Sequence, residues 1–583
     1  MTPSAETVVH FTMRAGREIG AALVHTAILG VCLVGTLPGC GVEAADPPGS
    51  QHIVAGAVVD EHGPVTGAVV RVQTTDLAVT TGIDGRFVFS GLAPEEAVSL
   101  SAWAPGYYIA GGDLVLPGGP NVRLTLRAHP KTDNPHYQWM PSVKAADPDD
   151  KACADCHLAA GTGLPFTLPA DEWREDAHAR AAVNPRFLSM YNGTDLDGNQ
   201  SPPTRYATNR DYGRFPLPPD PSKPYFGPGH KLDFPDSPGN CAACHAPAAA
   251  VDTPYGVDPN AVTGVGREGV ACDFCHKVID VRLNEDTGLP RENMPGVLSF
   301  EFRRPVDGQQ FFAGPLDDVA PGDDTYSPLQ RTSRYCAPCH QAVFWDTVIY
   351  NSFGEWLNSP YSEPVSGKSC QDCHMPRLGA DYFVRPDKGG RKRDPATIFS
   401  HRMPGAADEK LLQNTVTMTV ETVVAPSKVT VHVTIRNDHA GHHVPTGSPL
   451  RHMLLLVTAT DADGAELRLT DGLTIPSWGG VGDPAEGAYA GRPGKVFAKV
   501  LVEVWTGVTP TAAYWNPTRV AGDNRIPALQ QDQSTYVFER AGKKPVTIRA
   551  RLLFRRAFYE LQRQKGWDMP DLMMEESTVT VGT

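Results

Sequence analysis

Apolar residues return at every second position in two stretches of this chain, one towards each end. The first runs from Gln51 to about Arg127. Ile53-Val54-Ala55-Gly56-Ala57-Val58-Val59 and Gly67-Ala68-Val69-Val70-Arg71-Val72 are short β-branched runs parted by a Gly63-Pro64 turn. Asp84-Gly85 leads into Arg86-Phe87-Val88-Phe89 as a hairpin turn does, and runs at Val98 to Trp103 and Val122 to Leu126 follow. This pattern predicts a small antiparallel sandwich over 51–128. From Asn414 the alternation resumes: Thr415 to Val420, Val429 to Ile435, Met453 to Val457, Lys495 to Trp505, Tyr536 to Glu539 and Val546 to Leu553 read as strands. A helix is predicted over Ala557 to Gln564, and residues 411–583 as a whole form a second β-sandwich that caps what precedes it.

Between the two lies a region, 129–410, where neither period persists. Proline and glycine are abundant in the chain (53 and 56 residues), which predicts irregular connections and helical pieces rather than a packed helical bundle. Five short words stand out here: Cys153-Ala-Asp-Cys156-His157, Cys241-Ala-Ala-Cys244-His245, Cys272-Asp-Phe-Cys275-His276, Cys336-Ala-Pro-Cys339-His340 and Cys370-Gln-Asp-Cys373-His374. Each is C-x-x-C-H, the attachment signature of c-type haem. Two thiols at that spacing can each form a thioether to one haem vinyl group, and the histidine that follows is held beneath the ring as the proximal iron ligand. Paired C-x-x-C words also build zinc ribbons, and a secreted chain rich in cysteine can be a disulfide framework. Zinc does not require a histidine after every second cysteine, and a disulfide framework does not confine cysteine to one spacing. Only Cys32 and Cys40 lie outside the words. The reading is five c-type haems, with His157, His245, His276, His340 and His374 on the irons.

Successive words begin 88, 31, 64 and 34 residues apart. That density predicts haem faces forming much of the local core and a region that does not fold without them. The close spacings predict two neighbouring pairs, 241 with 272 and 336 with 370, with the first word apart. Distal ligands must come from other histidines. His178 follows Asp171-Glu-Trp173, which opens a predicted helix ending before Pro185, and is assigned to the first haem. His230 lies in a loop before the second word, and His401 follows the last word by 27 residues. In Asn437-Asp-His439-Ala-Gly-His442-His443, His442 is the first choice and His443 the second, with His439 set towards a propionate. His136 is the fifth distal candidate. His52, His62, His432 and His452 read as ordinary strand or turn residues.

The N-terminus reads as an export signal. Arg14 and Arg17 precede an apolar run from Ile19 to Leu37, and Leu37-Pro38-Gly39-Cys40 resembles a bacterial lipobox, which places lipidation on Cys40 and cleavage after residue 39. The alternative is an ordinary cleavage site nearby. Gly41 after the cysteine favours onward sorting to the outer membrane. A net charge of −14 argues against nucleic-acid binding.

Two resemblances add to this. The string GxVVDEHGPVTGAVVRV, TTGIDGRFVFSGL and SAWAPGYY is similar to a carboxypeptidase regulatory-like domain, which implies an immunoglobulin-like fold and a non-catalytic role, here a stalk between lipid anchor and redox region. The series EGVACDFCH, RYCAPCHQAVF, GKSCQDCHMP, SHRMPG and AGHHVPTGSPLRHMLL resembles the multihaem cytochromes c related to pentahaem nitrite reductase and hydroxylamine oxidoreductase. In that group haems pack in pairs as an electron wire. The resemblance implies electron transfer between exported redox partners, either other cytochromes or a terminal reductase. Five bis-histidine haems of low potential would make it a carrier. A reductase acting on a small nitrogen or oxyanion substrate at one open haem, with His178, Arg304 or Arg402 beside it, is the alternative; no C-x-x-C-K word is present.

Overall fold

A computed structural model describes residues 52–144, 151–319 and 322–582. The predicted export signal and Cys40 lie outside the described residues. No helix among those described is long and apolar enough to cross a membrane.

The first period-two stretch folds into seven strands, β1 (Val54–Val59), β2 (Val69–Val72), β3 (Ala78–Thr80), β4 (Arg86–Phe89), β5 (Val98–Trp103), β6 (Ala110–Val115) and β7 (Val122–Thr125). They form a three-stranded sheet β4-β1-β7 against a four-stranded sheet β3-β2-β5-β6. All pairs are antiparallel except β1 with β7. Alternation does the work: Arg86, Phe87, Val88 and Phe89 read exposed, buried, exposed, buried, and Phe87 and Phe89 meet Val58, Val70 and Leu100 between the sheets.

This sandwich does not stand free as a stalk. Tyr108 is buried with Phe311 and Ala313 of the following region. Its hydroxyl donates to Gln310 O at 2.8 Å, Ile109 N donates to Asp324 O at 2.9 Å, and Trp103 Nε1 donates to Thr325 Oγ1 at 3.0 Å. Arg71 grips Asp317 through Nε and Nη2 at 2.7 and 3.0 Å. The stalk reading is therefore corrected. Docking needs Gln310, Phe311, Ala313, Asp317, Asp324 and Thr325, far away in sequence, and no local pattern announces it.

The second stretch gives β8 (Thr417–Ala425), β9 (Lys428–Arg436), β10 (His452–Asp461), β11 (Leu469–Asp471), β12 (Gly494–Glu503), β13 (Thr518–Asp523), β14 (Gln531–Glu539), β15 (Val546–Arg555) and β16 (Leu572–Val581). Sheet β8-β9-β14-β11 faces sheet β13-β12-β10-β15-β16. The inward residues Val431, Leu455, Phe497, Tyr536 and Leu552 are all fully buried in one core. Fully burying one such side chain stabilises by roughly 1.5–3 kcal/mol. The helix after β15 spans Tyr559–Lys565, two residues later than its predicted start.

The middle is built otherwise. Its helices are four to eight residues long, joined by 3-10 turns and two-stranded ribbons such as Val278–Val281 with Phe300–Phe302 and Gln341–Phe344 with Thr347–Asn351. It is irregular more than helical. The predicted helix through His178 stops at Glu175, and His178–Arg180 is a separate 3-10 turn. Asp176 breaks it: its backbone is extended and its carboxylate accepts from both His178 N and His178 Nδ1.

Candidate metal centres

Each C-x-x-C-H word sits on one helical turn: Ala154–His157, Ala242–His245, Cys272–Lys277, Ala337–His340 and Cys370–His374. One turn places the second cysteine and the histidine beside the first cysteine, where a single planar group can meet all three. Close backbone approach seats two of the neighbours. Gly296, at φ +58°, comes so near the second word that a Cβ there would lie 2.2 Å from Ala243 O and 2.9 Å from Cys244 Sγ. Gly269, at φ +70°, would put a Cβ 2.2 Å from His178 O.

The imidazoles are fixed in one tautomer. A carbonyl oxygen can only accept, so a ring nitrogen facing one carries the proton. Nδ1 of His157 faces Phe383 O at 2.8 Å, that of His245 Ala181 O at 3.2 Å, that of His276 Ala313 O at 2.7 Å and that of His374 Pro404 O at 2.7 Å. Nε2 keeps its lone pair in all four, which is the arrangement a metal-ligating histidine needs. The same holds for His401 against Phe399 O and His442 against His443 O, and the Asp176 carboxylate does it for His178.

Two pairs of rings stand opposed across words. His340 and His178 have ring centres 6.2 Å apart, and His374 and His442 have theirs 6.3 Å apart. A metal–imidazole nitrogen bond is about 2 Å, so two rings on opposite sides of one ion have centres about 6 Å apart. His401 lies near enough to His276 for the two charges to repel. His178 is thus beside the fourth word, not the first. His230 is buried among Tyr191, Phe234 and Trp515, with Nδ1 unpartnered and no histidine of a word against it. His136 is exposed, His439 is exposed beside Asp438, and His443 leans on Glu355 at 3.9 Å. His432 is exposed on β9, and His452 is fully buried.

These groups line interior space. His340 keeps more than a third of its surface accessible, yet the protein around it desolvates the ring enough to drop its pKa to about 3. Desolvation lowers His401 to about 4, and lowers His157, His245, His276 and His442 in the same direction. All ten word thiols are free and partly accessible, while burial pushes Cys241 and Cys275 up to about 12. The thiols also link the words. Cys153 lies beside Cys272, Cys336 beside Cys370, and Cys244 beside Cys339. The first word is therefore a neighbour of the third and the second of the fourth, a proximity the sequence spacing did not reveal; the words at 336 and 370 are neighbours as well.

No group of three or more His, Cys, Asp or Glu among the described residues is set to hold a metal by itself. The chain offers opposed pairs instead, which suit a group bringing four equatorial nitrogens of its own. The donor set fits covalently attached haem: paired thiols, a proximal histidine whose Nδ1 is fixed at every word but the fourth, and a second histidine opposite at the fourth and fifth words.

Positioning residues that the sequence did not single out surround this set. Asn437 Nδ2 donates to His442 O at 2.8 Å and to Ile526 O at 3.0 Å, tying the His442 loop to the second sandwich. Buried Glu355 takes Arg525 Nη1 at 2.7 Å, Thr446 Oγ1 and His443 N at 3.2 Å. Lys565, fully buried, donates to three carbonyls, Ser189, Thr194 and Pro228, and so pins the last helix to the middle region. Arg304 is engaged by Asp133 and Asp252, and Arg402 is largely exposed near Glu175.

Comparison with known proteins adds the following. Residues 53–129 match the model of the carboxypeptidase regulatory-like domain. No curated protein matches the chain. Among solved structures, one similar chain is a penta-haem cytochrome c552 from Thermochromatium tepidum, 19% identical with a TM-score of 0.48, covering 74% of this chain and 97% of that one. Another is the ASH/PapD-like domain 7 of human CEP192, 8% identical with a TM-score of 0.11, covering 29% of this chain and 82% of that one. The chain is multidomain and rich in β-sheet, and it opens with a carboxypeptidase regulatory-like, immunoglobulin-like domain ahead of its cysteine–histidine words.

Proposed function

We propose that this chain is an exported multihaem c-type cytochrome that carries electrons through five covalently bound haems between periplasmic or cell-surface redox partners, held at the outer membrane by a lipid on Cys40. The observation that carries this reading is the opposed histidine pairing, His178 with His340 and His442 with His374, in which Nδ1 of His178, His374 and His442 is each held by an oxygen acceptor. Bound haem supplies reversible one-electron chemistry at iron. The chain's own residues do the rest. Backbone carbonyls hold the rings of His157, His245, His276 and His374 at a set angle, and thiols lying side by side across words bring neighbouring attachment points together. The decisive experiment is expression with a competent c-type maturation system, followed by intact mass and pyridine haemochrome assay. The reading requires a mass gain of five haems and ten thiols closed to alkylation; a product weighing the bare chain overturns it.

A second reading, a reductase for a small nitrogen or oxyanion substrate at one open haem, is favoured by a separate observation. Among the described residues, His157, His245 and His276 have no histidine opposed to them at the distance seen for the other two pairs. Beside the second word's thiols stand the phenols of Tyr350 and Tyr514. Electron paramagnetic resonance of the oxidised protein separates the two: low-spin signals alone support the carrier, and a high-spin ferric signal supports the reductase.

A further inference from the structure

Most arginines taken out of water in this protein come with carboxylates, and buried Arg540 donates instead to the carbonyls of Lys544 and Gly582. Arg304 has Asp133 and Asp252, Arg393 has Asp318, Arg525 has Glu355 and Asp523, and Arg555 has Asp571. Such pairing is the usual condition for burying a charge. Three arginines between the second and fourth words depart from it. The side chain of Arg451 makes one hydrogen bond, Nη1 to Thr446 O at 3.3 Å. Arg556, next in sequence to the well-paired Arg555, has its Nε buried without a partner. Arg186 precedes Phe187, whose ring stacks on His245 at 3.8 Å, and only its backbone N–H is engaged, by Asn184. Arg186 and Arg451 both stand close enough to repel the Arg556 guanidinium, and Asp568 offsets them least. Facing Arg451 are two phenols, Tyr350 donating to Tyr514 at 2.7 Å. Arg451 also repels His340, and Tyr350 lies by Cys241 and Cys244, so the cluster spans both words.

We infer that Arg186, Arg451 and Arg556, with the Tyr350–Tyr514 hydroxyl pair, form a binding site for an anionic oxygen group, a carboxylate or small oxyanion that the chain's own side chains do not supply. Guanidinium forks match two oxygens of one such group, and the Tyr514 hydroxyl, which accepts from Tyr350, keeps its own proton free to donate to the same group. The group has two possible sources, a haem propionate or a diffusible oxyanion, and the first rests on the reading proposed above.

The test uses the mature full chain, wild type beside R451Q, R556Q, R451K, R556K and Y514F. Intact mass is read first and reports on haem attachment alone, so failure of that reading is seen separately. Midpoint potentials are then measured by spectroelectrochemistry, and the Soret band is titrated with sodium nitrite and, separately, sodium phosphate. A propionate at the site gives no response to either salt, while the glutamine variants make one midpoint potential more negative, since losing a nearby cation favours the oxidised state; the lysine variants stay close to wild type. A diffusible oxyanion gives a saturable Soret change whose Kd rises by about tenfold or more in the glutamine variants and is partly restored by lysine. Tyr514→Phe, which buries no new charge and loses no packing, moves the same quantity in the same direction and decides the matter if a glutamine variant fails to fold. The inference is overturned if wild type ignores both salts and neither Y514F nor a folded glutamine variant shifts any potential.

Discussion

The second sandwich and the middle region are neighbours held together by different means. In the sandwich, β9 and β14 pair over nine residues and β10 and β15 over ten, and every inward side chain meets another across the layer. In the largest cluster of the middle, seven of the fifteen buried residues are alanine, set beside Phe274, Phe300 and Phe302, and its backbone lies in turns too short to persist alone. A strand ladder with a filled core stabilises itself. Short turns carrying ten thiols and five histidines would, on the function proposed above, be completed by the haem those side chains hold.

The largest effect expected from this contrast is on folding. When the chain is expressed without haem attachment, the two sandwiches should keep their β-sheet signal while residues 151–410 become protease-sensitive throughout. Limited proteolysis with mass mapping checks it, and a protected apo middle region would remove the contrast. The reverse experiment acts on the sandwich. Leu454, fully buried on β10, truncated by Leu454→Ala should cost about 2–5 kcal/mol in denaturant unfolding of that domain. Haem content per chain should stay the same.

A third change tests the joint between the regions. Lys565→Met leaves the carbonyls of Ser189, Thr194 and Pro228 without their donor, and unsatisfied buried groups cost about 1–3 kcal/mol each, less whatever water recovers. The expected loss is about 3 kcal/mol, read as earlier hydrogen exchange in the Pro185–Asn192 and Tyr559–Lys565 helices with the interior of the sandwich unaffected.

What the sequence disclosed divides along the same line. Both sandwiches were legible, because an inward-facing strand writes its burial into every second residue, as Phe87 and Phe89 or Val429, Val431 and Val433 do. The words were legible because thiols and histidine fall within one turn. The opposition of His178 to His340 and of His442 to His374 was not, since those rings meet across 162 and 68 residues of chain with no periodicity between them. His178 misled for a local reason: the Asp176 carboxylate ends the helix and turns the ring towards a different word. The unpaired arginines were invisible for the converse reason, because whether Arg556 or its neighbour Arg555 finds a carboxylate is settled only by where Asp571 arrives.

The smallest expected effect sharpens the contrast through pH. His452 is fully buried at the start of β10, stacked on Phe558 and edge-on to Trp478, with Nδ1 bonded to Leu450 O at 3.1 Å and Nε2 unpartnered. Burial, with Arg555 nearby, lowers its pKa to about 3 from an ordinary 6.5. The unfolded chain therefore takes up a proton below pH 6.5 that the folded chain refuses. Stability from this residue is complete above that pH and falls as pH drops towards 3, by up to about 1.4 kcal/mol per pH unit. Desolvation lowers His157, His245, His276 and His340 too, but if their Nε2 atoms ligate iron as proposed no site is left for that proton, and their share of the slope would disappear in haem-loaded protein. His452→Leu should flatten the dependence of the sandwich's urea midpoint between pH 6.5 and 4, and His432→Leu, on an exposed position of β9, should leave it unchanged. Equal slopes in wild type and His452→Leu would mean that the acid sensitivity of this molecule lies in its middle region, and that the two regions are not as separate energetically as their packing implies.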